Sequence, residues 1–312
     1  MPPPGLSLTR EVQQSFQIAK TFDRNSRDIN SISFNGDGKL MVTTSEDDSI
    51  NLYDCEVGEH VQTLHSKKYG ASLARFTHGG STIIHASTKE NDTIRYLSLH
   101  DNKYLRYFVG HKKRVTALSM SPVSDQFLSA SEDHSVRLWD LRSTNCSGVI
   151  QARSPTVGAF GPKGVIFAVG VGSTIKLYDA RKYETGPFDS IPVAEGGDMD
   201  QLQISPDSKH IMVRKAGRII IFDAYSGARK YDLGKNVTTA CFSPCGHFVY
   251  GGCTNMETNE SHIIVWSTHT GDDVARHIEH RRPITALEFN PKLMMIASAD
   301  TELNFWISTL KA

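Results

Sequence analysis

Residues 114–140, RVTALSMSPVSDQFLSASEDHSVRLWD, decide the fold. They hold two apolar strands around a Ser-Pro turn, then Ser-Glu-Asp, then an alternating strand that ends in Trp139-Asp140. A unit of this kind is one small sheet that cannot bury its own faces, so it must stack on copies of itself. Such copies run end to end through the chain. The residues equivalent to Trp139 form the series Tyr53, Leu97, Trp139, Tyr178, Phe222, Trp266 and Trp306, with successive differences of 44, 42, 39, 44, 44 and 40. A second marker, an apolar residue leading into a turn, recurs in step, as at Phe34-Asn35-Gly36, Met120-Ser121-Pro122 and Phe242-Ser243-Pro244.

That period, with the Trp-Asp ending, is the signature of four-stranded propeller blades. The prediction is an all-β, seven-bladed WD-repeat β-propeller. Repeats fill residues 29–307 and leave no room for a second domain. The last strand motif, Leu303-Asn304-Phe305-Trp306-Ile307, is the third of its blade, and only five residues follow. Residues 15–22 precede blade one as Lys103-Tyr104-Leu105-Arg106-Tyr107-Phe108 precedes blade three, so the N-terminal strand is expected to close blade seven. The propeller is then residues 15–312, and residues 1–14 are expected to be a flexible arm.

Lys plus Arg and Asp plus Glu both number 34, so no overall field draws the chain to nucleic acid or membrane. No apolar run approaches membrane-spanning length, and the start Met1-Pro2-Pro3-Pro4-Gly5 lacks the pattern of a secretory signal. A soluble, intracellular protein with five reduced cysteines is expected.

Gly110-His111 enters blade three, with Ser129 ten and Asp133 six residues before Trp139. In WD-repeat proteins this spacing lets the imidazole bridge the carboxylate and the hydroxyl, while the hydroxyl meets the indole N–H. His111, Ser129, Asp133 and Trp139 are therefore read as structural, because the hydroxyl sits inside a blade rather than in a cleft. Blade one keeps Thr43 and Asp47 with Asn25 in the His place, and blade seven keeps His280 and Asp300. Cys241, Cys245 and Cys253 lack a CxxC pair, and His277-Ile278-Glu279-His280 is not a zinc-protease motif. No catalytic residue, cofactor or metal is expected.

The loops equivalent to Gly110-His111 all emerge on one face. They carry Arg24 and Arg27, then Lys67 and Lys68, then Lys112, Lys113 and Arg114, and, from blade seven, Arg281 and Arg282. Blades seven, one, two and three are neighbours, so these cations form one arc that suits an acidic or phosphorylated peptide. Glu46, Asp48, Glu90 and Glu132 come from the other loops of that face, and the competing reading is a solvated rim of mixed charge. On the opposite rim, Arg142 and Arg181 follow Asp140 and Asp179 by two residues. They are an alternative docking pair, although an Arg–Asp pair that orders the turn is the favoured reading.

The stretch 92–104, with Arg106-Tyr107-Phe108, Gly110-His111 and Ala117-Leu118-Ser119-Met120-Ser121-Pro122, resembles the WD repeat-containing protein 82 family. Ser45-Glu46-Asp47-Asp48-Ser49, Lys67-Lys68-Tyr69-Gly70 and Val136-Arg137-Leu138-Trp139-Asp140-Leu141-Arg142-Ser143 resemble it too. The likeness spans the chain but weakens at residues 198–218 and at a polar insertion over 254–261. It implies a non-catalytic scaffold in nuclear assemblies, and because a closed propeller needs no partner to fold, a monomer until assembled is expected. Its partners would be a SET-domain subunit of a COMPASS-type methyltransferase acting on lysine four of histone H-three, and a phosphatase scaffold or cleavage and polyadenylation factors at transcription termination. The resemblance also links the chain to phosphorylated carboxy-terminal repeats of RNA polymerase II, whereas the assignment of the basic arc to that contact is our inference from the residues. The paired Trp-Asp-x-Arg-type motifs at Arg142 and Arg181 leave a substrate receptor of a cullin-four ubiquitin ligase as the alternative.

Overall fold

Strands alternate with tight turns from Phe16 to Ser308 in the computed structural model, which describes residues 8–193, 197–255, 257–258 and 260–310. Blade one is β2 (Ile29–Phe34), β3 (Leu40–Ser45), β4 (Ser49–Asp54) and β5 (Glu59–His65), after a leading strand β1 (Phe16–Phe22). Blade two is β6 (Ser72–Phe76), β7 (Thr82–Ala86), β8 (Ile94–Ser98) and β9 (Lys103–Phe108). Blade three is β10 (Val115–Met120), β11 (Gln126–Ser131), β12 (Ser135–Asp140) and β13 (Gly148–Gln151). Blade four is β14 (Thr156–Phe160), β15 (Ile166–Val171), β16 (Thr174–Asp179) and β17 (Asp189–Pro192). Blade five is β18 (Met199–Ile204), β19 (His210–Lys215), β20 (Arg218–Asp223) and β21 (Arg229–Leu233). Blade six is β22 (Val237–Phe242), β23 (Phe248–Thr254), β24 (Ser261–Ser267) and β25 (Asp273–His280), and blade seven has β26 (Ala286–Phe289), β27 (Met295–Ala299) and β28 (Leu303–Ser308).

Each set is a four-stranded antiparallel sheet in chain order, and the seventh is completed as β1-β28-β27-β26. Phe16 pairs with Ser308 and Phe22 with Leu303, so the first strand supplies the outer edge of the last blade. Both chain ends are thereby spent on one sheet, which leaves no open seam in the ring.

Burial explains why the copies must associate. Among the described residues, buried apolar side chains pack in seven clusters, and each joins two neighbouring blades. Ile84, Ala86, Ile94 and Phe108 of blade two, for example, pack on Val115, Leu118, Phe127 and Trp139 of blade three. The seven residues of the Trp139 series all lie on third strands and none is more than 6% exposed. Turns fit closely between blades: Gly164 has φ +66°, and a Cβ there would stand 2.5 Å from Val123 Cγ2. Only a residue without a side chain meets both demands.

The expectation of a flexible arm over residues 1–14 is corrected in its second half; residues 1–7 lie outside the described residues. Arg10–Gln14 is a helical turn, α1, capped by the Thr9 hydroxyl. Val12 is 4% exposed and packs with Phe16 and Trp306, which gives the segment an apolar anchor. Gln13 is fully buried and accepts a hydrogen bond from the Tyr250 hydroxyl, while Gln14 Nε2 donates to the Val274 carbonyl at 3.1 Å. A buried phenol needs an acceptor, and Gln13 provides it.

The innermost strands line a central channel of about 270 Å³, with Arg75, Gln201, Arg214 and Glu288 along its wall. Burial there pushes the Glu288 carboxyl up to about 7, with Arg75 pulling the other way. Among the described residues no helix is long and apolar enough to cross a membrane.

Candidate partner-binding faces

In blade three the predicted four-residue constellation is assembled. His111 Nδ1 lies 2.9 Å from Asp133 Oδ2, and Nε2 lies 2.6 Å from Ser129 Oγ, which also accepts from Trp139 Nε1 at 2.8 Å. Ser129 is fully buried on β11, and its hydroxyl is committed to His111 and the indole, so it does not present itself as a nucleophile to a cleft. Hydrogen bonds from Ser135 and the Lys112 N–H hold the Asp133 carboxyl well below the usual range against its burial. Burial lowers the His111 pKa, and the Asp133 contact opposes that shift.

Blade seven carries the same network, which the spacing only half discloses. His280 bridges Asp300 Oδ2 at 3.1 Å and Ser298 Oγ at 2.7 Å, and Trp306 Nε1 donates to Ser298 at 2.7 Å. In blade one Asn25 Nδ2 donates to Ser49 Oγ at 2.7 Å and approaches Asp47 at 3.3 Å. All five cysteines are free, and among the described residues no group of three or more His, Cys, Asp and Glu side chains is placed to hold a metal. Burial raises the Cys241 thiol pKa well above the ordinary value and pushes Cys253 up to about 12, which suits packed thiols.

The same aspartates position the basic loops. Asp133 accepts from the Lys112 N–H at 3.0 Å, and Asp47 accepts from the Ser26 N–H at 2.9 Å. Ser131 donates to the Lys113 carbonyl at 2.9 Å, and Ser45 to the Arg27 carbonyl at 3.1 Å. Blades one and three thus fasten their loop backbones by the same bonds and leave the cationic side chains outward. Arg24, Arg27, Lys67, Lys68, Lys112, Lys113, Arg114, Arg281 and Arg282 are all exposed. Arg114 also lines the cavity at the channel mouth, beside Glu132, Asp198 and Asp200.

Few direct ion pairs tie the acidic loops to this arc among the described residues. Lys68 meets Glu90 at 3.9 Å, whereas Asp48 is taken by Lys89 at 2.5 Å. Among the described residues no carboxylate lies within 4.0 Å of the other eight cations. On the opposite rim Arg142 is bound to Asp140 through Nε at 2.9 Å and Nη2 at 2.7 Å. Arg181 instead offers only its backbone N–H to Asp179, at 2.8 Å, and its exposed side chain has no ion pair among the described residues.

One cluster escaped the reading of the sequence. Arg95 on β8 is 3% exposed, and its guanidinium carbon lies 3.4 Å from the Tyr69 ring centroid, 5.1 Å from that of Tyr107 and 5.5 Å from that of Tyr104. No local spacing announces it, because Tyr69 comes from the loop before β6 and the other rings from β9.

Comparison with known proteins agrees with this architecture. The family described as WD domain, G-beta repeat matches residues 16–54 and 102–140. WD repeat-containing protein 82 of Drosophila melanogaster is 44% identical over 97% of this chain and 98% of its own length. The Set1 complex component swd2 of Schizosaccharomyces pombe is 32% identical over 96% of this chain and 99% of its own length. The COMPASS component SWD2 of Saccharomyces cerevisiae is 33% identical over 97% and 98%. With blade number, ring closure and end-to-end similarity in agreement, the chain belongs to the WD repeat-containing protein 82 family.

Proposed function

We propose that this chain is a non-catalytic, nuclear scaffold subunit of a COMPASS-type methyltransferase acting on lysine four of histone H-three. In this reading it binds the SET-domain subunit and meets phosphorylated carboxy-terminal repeats of RNA polymerase II through the arc from Arg281 to Arg114. It is also shared with a phosphatase or cleavage and polyadenylation assembly at termination. The observation that carries the reading is similarity along the whole length to relatives named as Set1-complex and COMPASS components. The arc adds support, because eight of its nine cations have no carboxylate partner among the described residues and remain available to an acidic ligand. The two-point attachment of Arg142 to Asp140 weighs against the ligase-adaptor alternative. Affinity purification of the tagged chain from nuclear extract, with partners identified by mass spectrometry, tests the assignment. Recovery of a SET-domain methyltransferase subunit is expected; recovery of a cullin adaptor without it would overturn the proposal.

A further inference from the structure

At the upper outer corner of blade two a positive charge is buried without a carboxylate. Arg95 Nε donates to Ser87 Oγ at 2.9 Å and Nη2 to Asn91 Oδ1 at 3.4 Å, while Nη1 has no hydrogen-bond partner among the described residues. Elsewhere in the ring the partly buried Arg214 has Asp200 at 3.3 Å. Charges removed from water are normally paired, and three aromatic faces attract a cation but give a guanidinium N–H no strong acceptor. The Tyr69 and Tyr107 hydroxyls also lack partners among the described residues, whereas the Tyr104 hydroxyl is engaged with Ser66 Oγ at 3.0 Å. Tyr107, whose ring centroid lies 5.1 Å from the guanidinium carbon, is 44% exposed, so the cluster around Arg95 reaches the surface. Lys68 stands 5.2 Å from the Tyr69 ring centroid, next to the exposed Lys67, and its only ion pair among the described residues, with Glu90, is long and exposed.

We propose that this corner is the phosphate-reading subsite of the basic arc, in which Arg95 and Lys68 hold the phosphoryl group of a phosphorylated peptide side chain. The inference rests on the phosphopeptide reading above and adds to it a specific receptor residue. A planar guanidinium fixed by ring stacking presents its remaining N–H groups in a set direction, the geometry that suits bidentate contact with a phosphate. The surplus of cations matches a group that carries close to two negative charges, which a single carboxylate does not.

The test uses the intact chain with arginine side-chain nitrogens labelled, titrated by NMR with a phosphoserine-containing polymerase-repeat peptide. Its unphosphorylated and glutamate-substituted forms are titrated alongside. A saturable shift of the Arg95 Nε–H signal is expected with the phosphorylated peptide only. Arg95→Lys, which keeps the charge but loses the fork, should weaken binding about tenfold or more, and Tyr107→Phe, which removes only a hydroxyl, should weaken it by less. Phosphopeptide binding with an unmoved Arg95 signal would overturn the subsite and leave the arc standing. Equal binding of the glutamate form would overturn the phosphoryl assignment. Absence of any phosphopeptide binding would overturn the arc and this subsite together.

Discussion

Blades two and three share a backbone plan and seal it in different ways. In blade three Phe127 pairs with Trp139 across the ladder, and Ser129, two residues on, organises His111 and the indole. In blade two the equivalent pair is Ile83 with Leu97, and the serine place is held by His85, fully buried, with Nε2 unpartnered among the described residues. Polar cohesion there moves outward to Arg95 and its three tyrosines. The blade therefore depends on strand register and apolar burial, which both copies keep. The buried polar network is a local addition that blades three and seven carry and blade two lacks.

The largest effect is expected from Trp139→Ala, which removes ring packing and releases Ser129 and His111. It should lower stability by about 3 to 5 kcal/mol in urea unfolding, and a near-neutral result would place the blade wrongly. Next in size is a pH effect from blade two. Burial holds the folded-state pKa of His85 down to about 4, against about 6.5 unfolded. Its contribution is complete above pH 6.5 and falls away as pH drops from there towards 4, by about 3 kcal/mol at most. His85→Gln should flatten that interval, and an unchanged profile would contradict the assignment. His111, also lowered by burial, adds loss below about pH 6.5, and the depressed Asp133 adds its own below about 4.

Ser129→Ala leaves an imidazole nitrogen and an indole N–H unpaired and should cost about 2 kcal/mol; a cost near zero would show that the network contributes little. At the small end, Arg142→Ala breaks an exposed pair and should shift stability by less than about 0.5 kcal/mol. A larger loss would show that the turn depends on it.

The repeating strand pattern carried the fold in the sequence because apolar spacing and turn residues are local. Ring closure was legible for the same reason, from the likeness of residues 15–22 to the segment before blade three. The blade-three network could be found from spacing alone, but its twin in blade seven could not be completed. The β27–β28 hairpin is shorter, so Ser298 stands eight residues before Trp306, whereas Ser129 stands ten before Trp139. Helix α1 was missed because Val12 and Gln13 sit in a polar run and gain meaning only against Trp306 and Tyr250, more than two hundred residues away. The positions of the basic residues were visible, while the pairing of Asp48 with Lys89 and of Lys68 with Glu90 was not, because no spacing specifies it.

Hydrogen–deuterium exchange on the assembled complex, compared with the free chain, locates the docking face. Protection is expected in the loops that carry Arg281-Arg282, Arg24-Arg27, Lys67-Lys68 and Lys112-Arg114, with the turns at Arg142 and Arg181 unchanged. Protection confined to Arg142 and Arg181 would rule out the basic arc and move the functional face to the opposite rim.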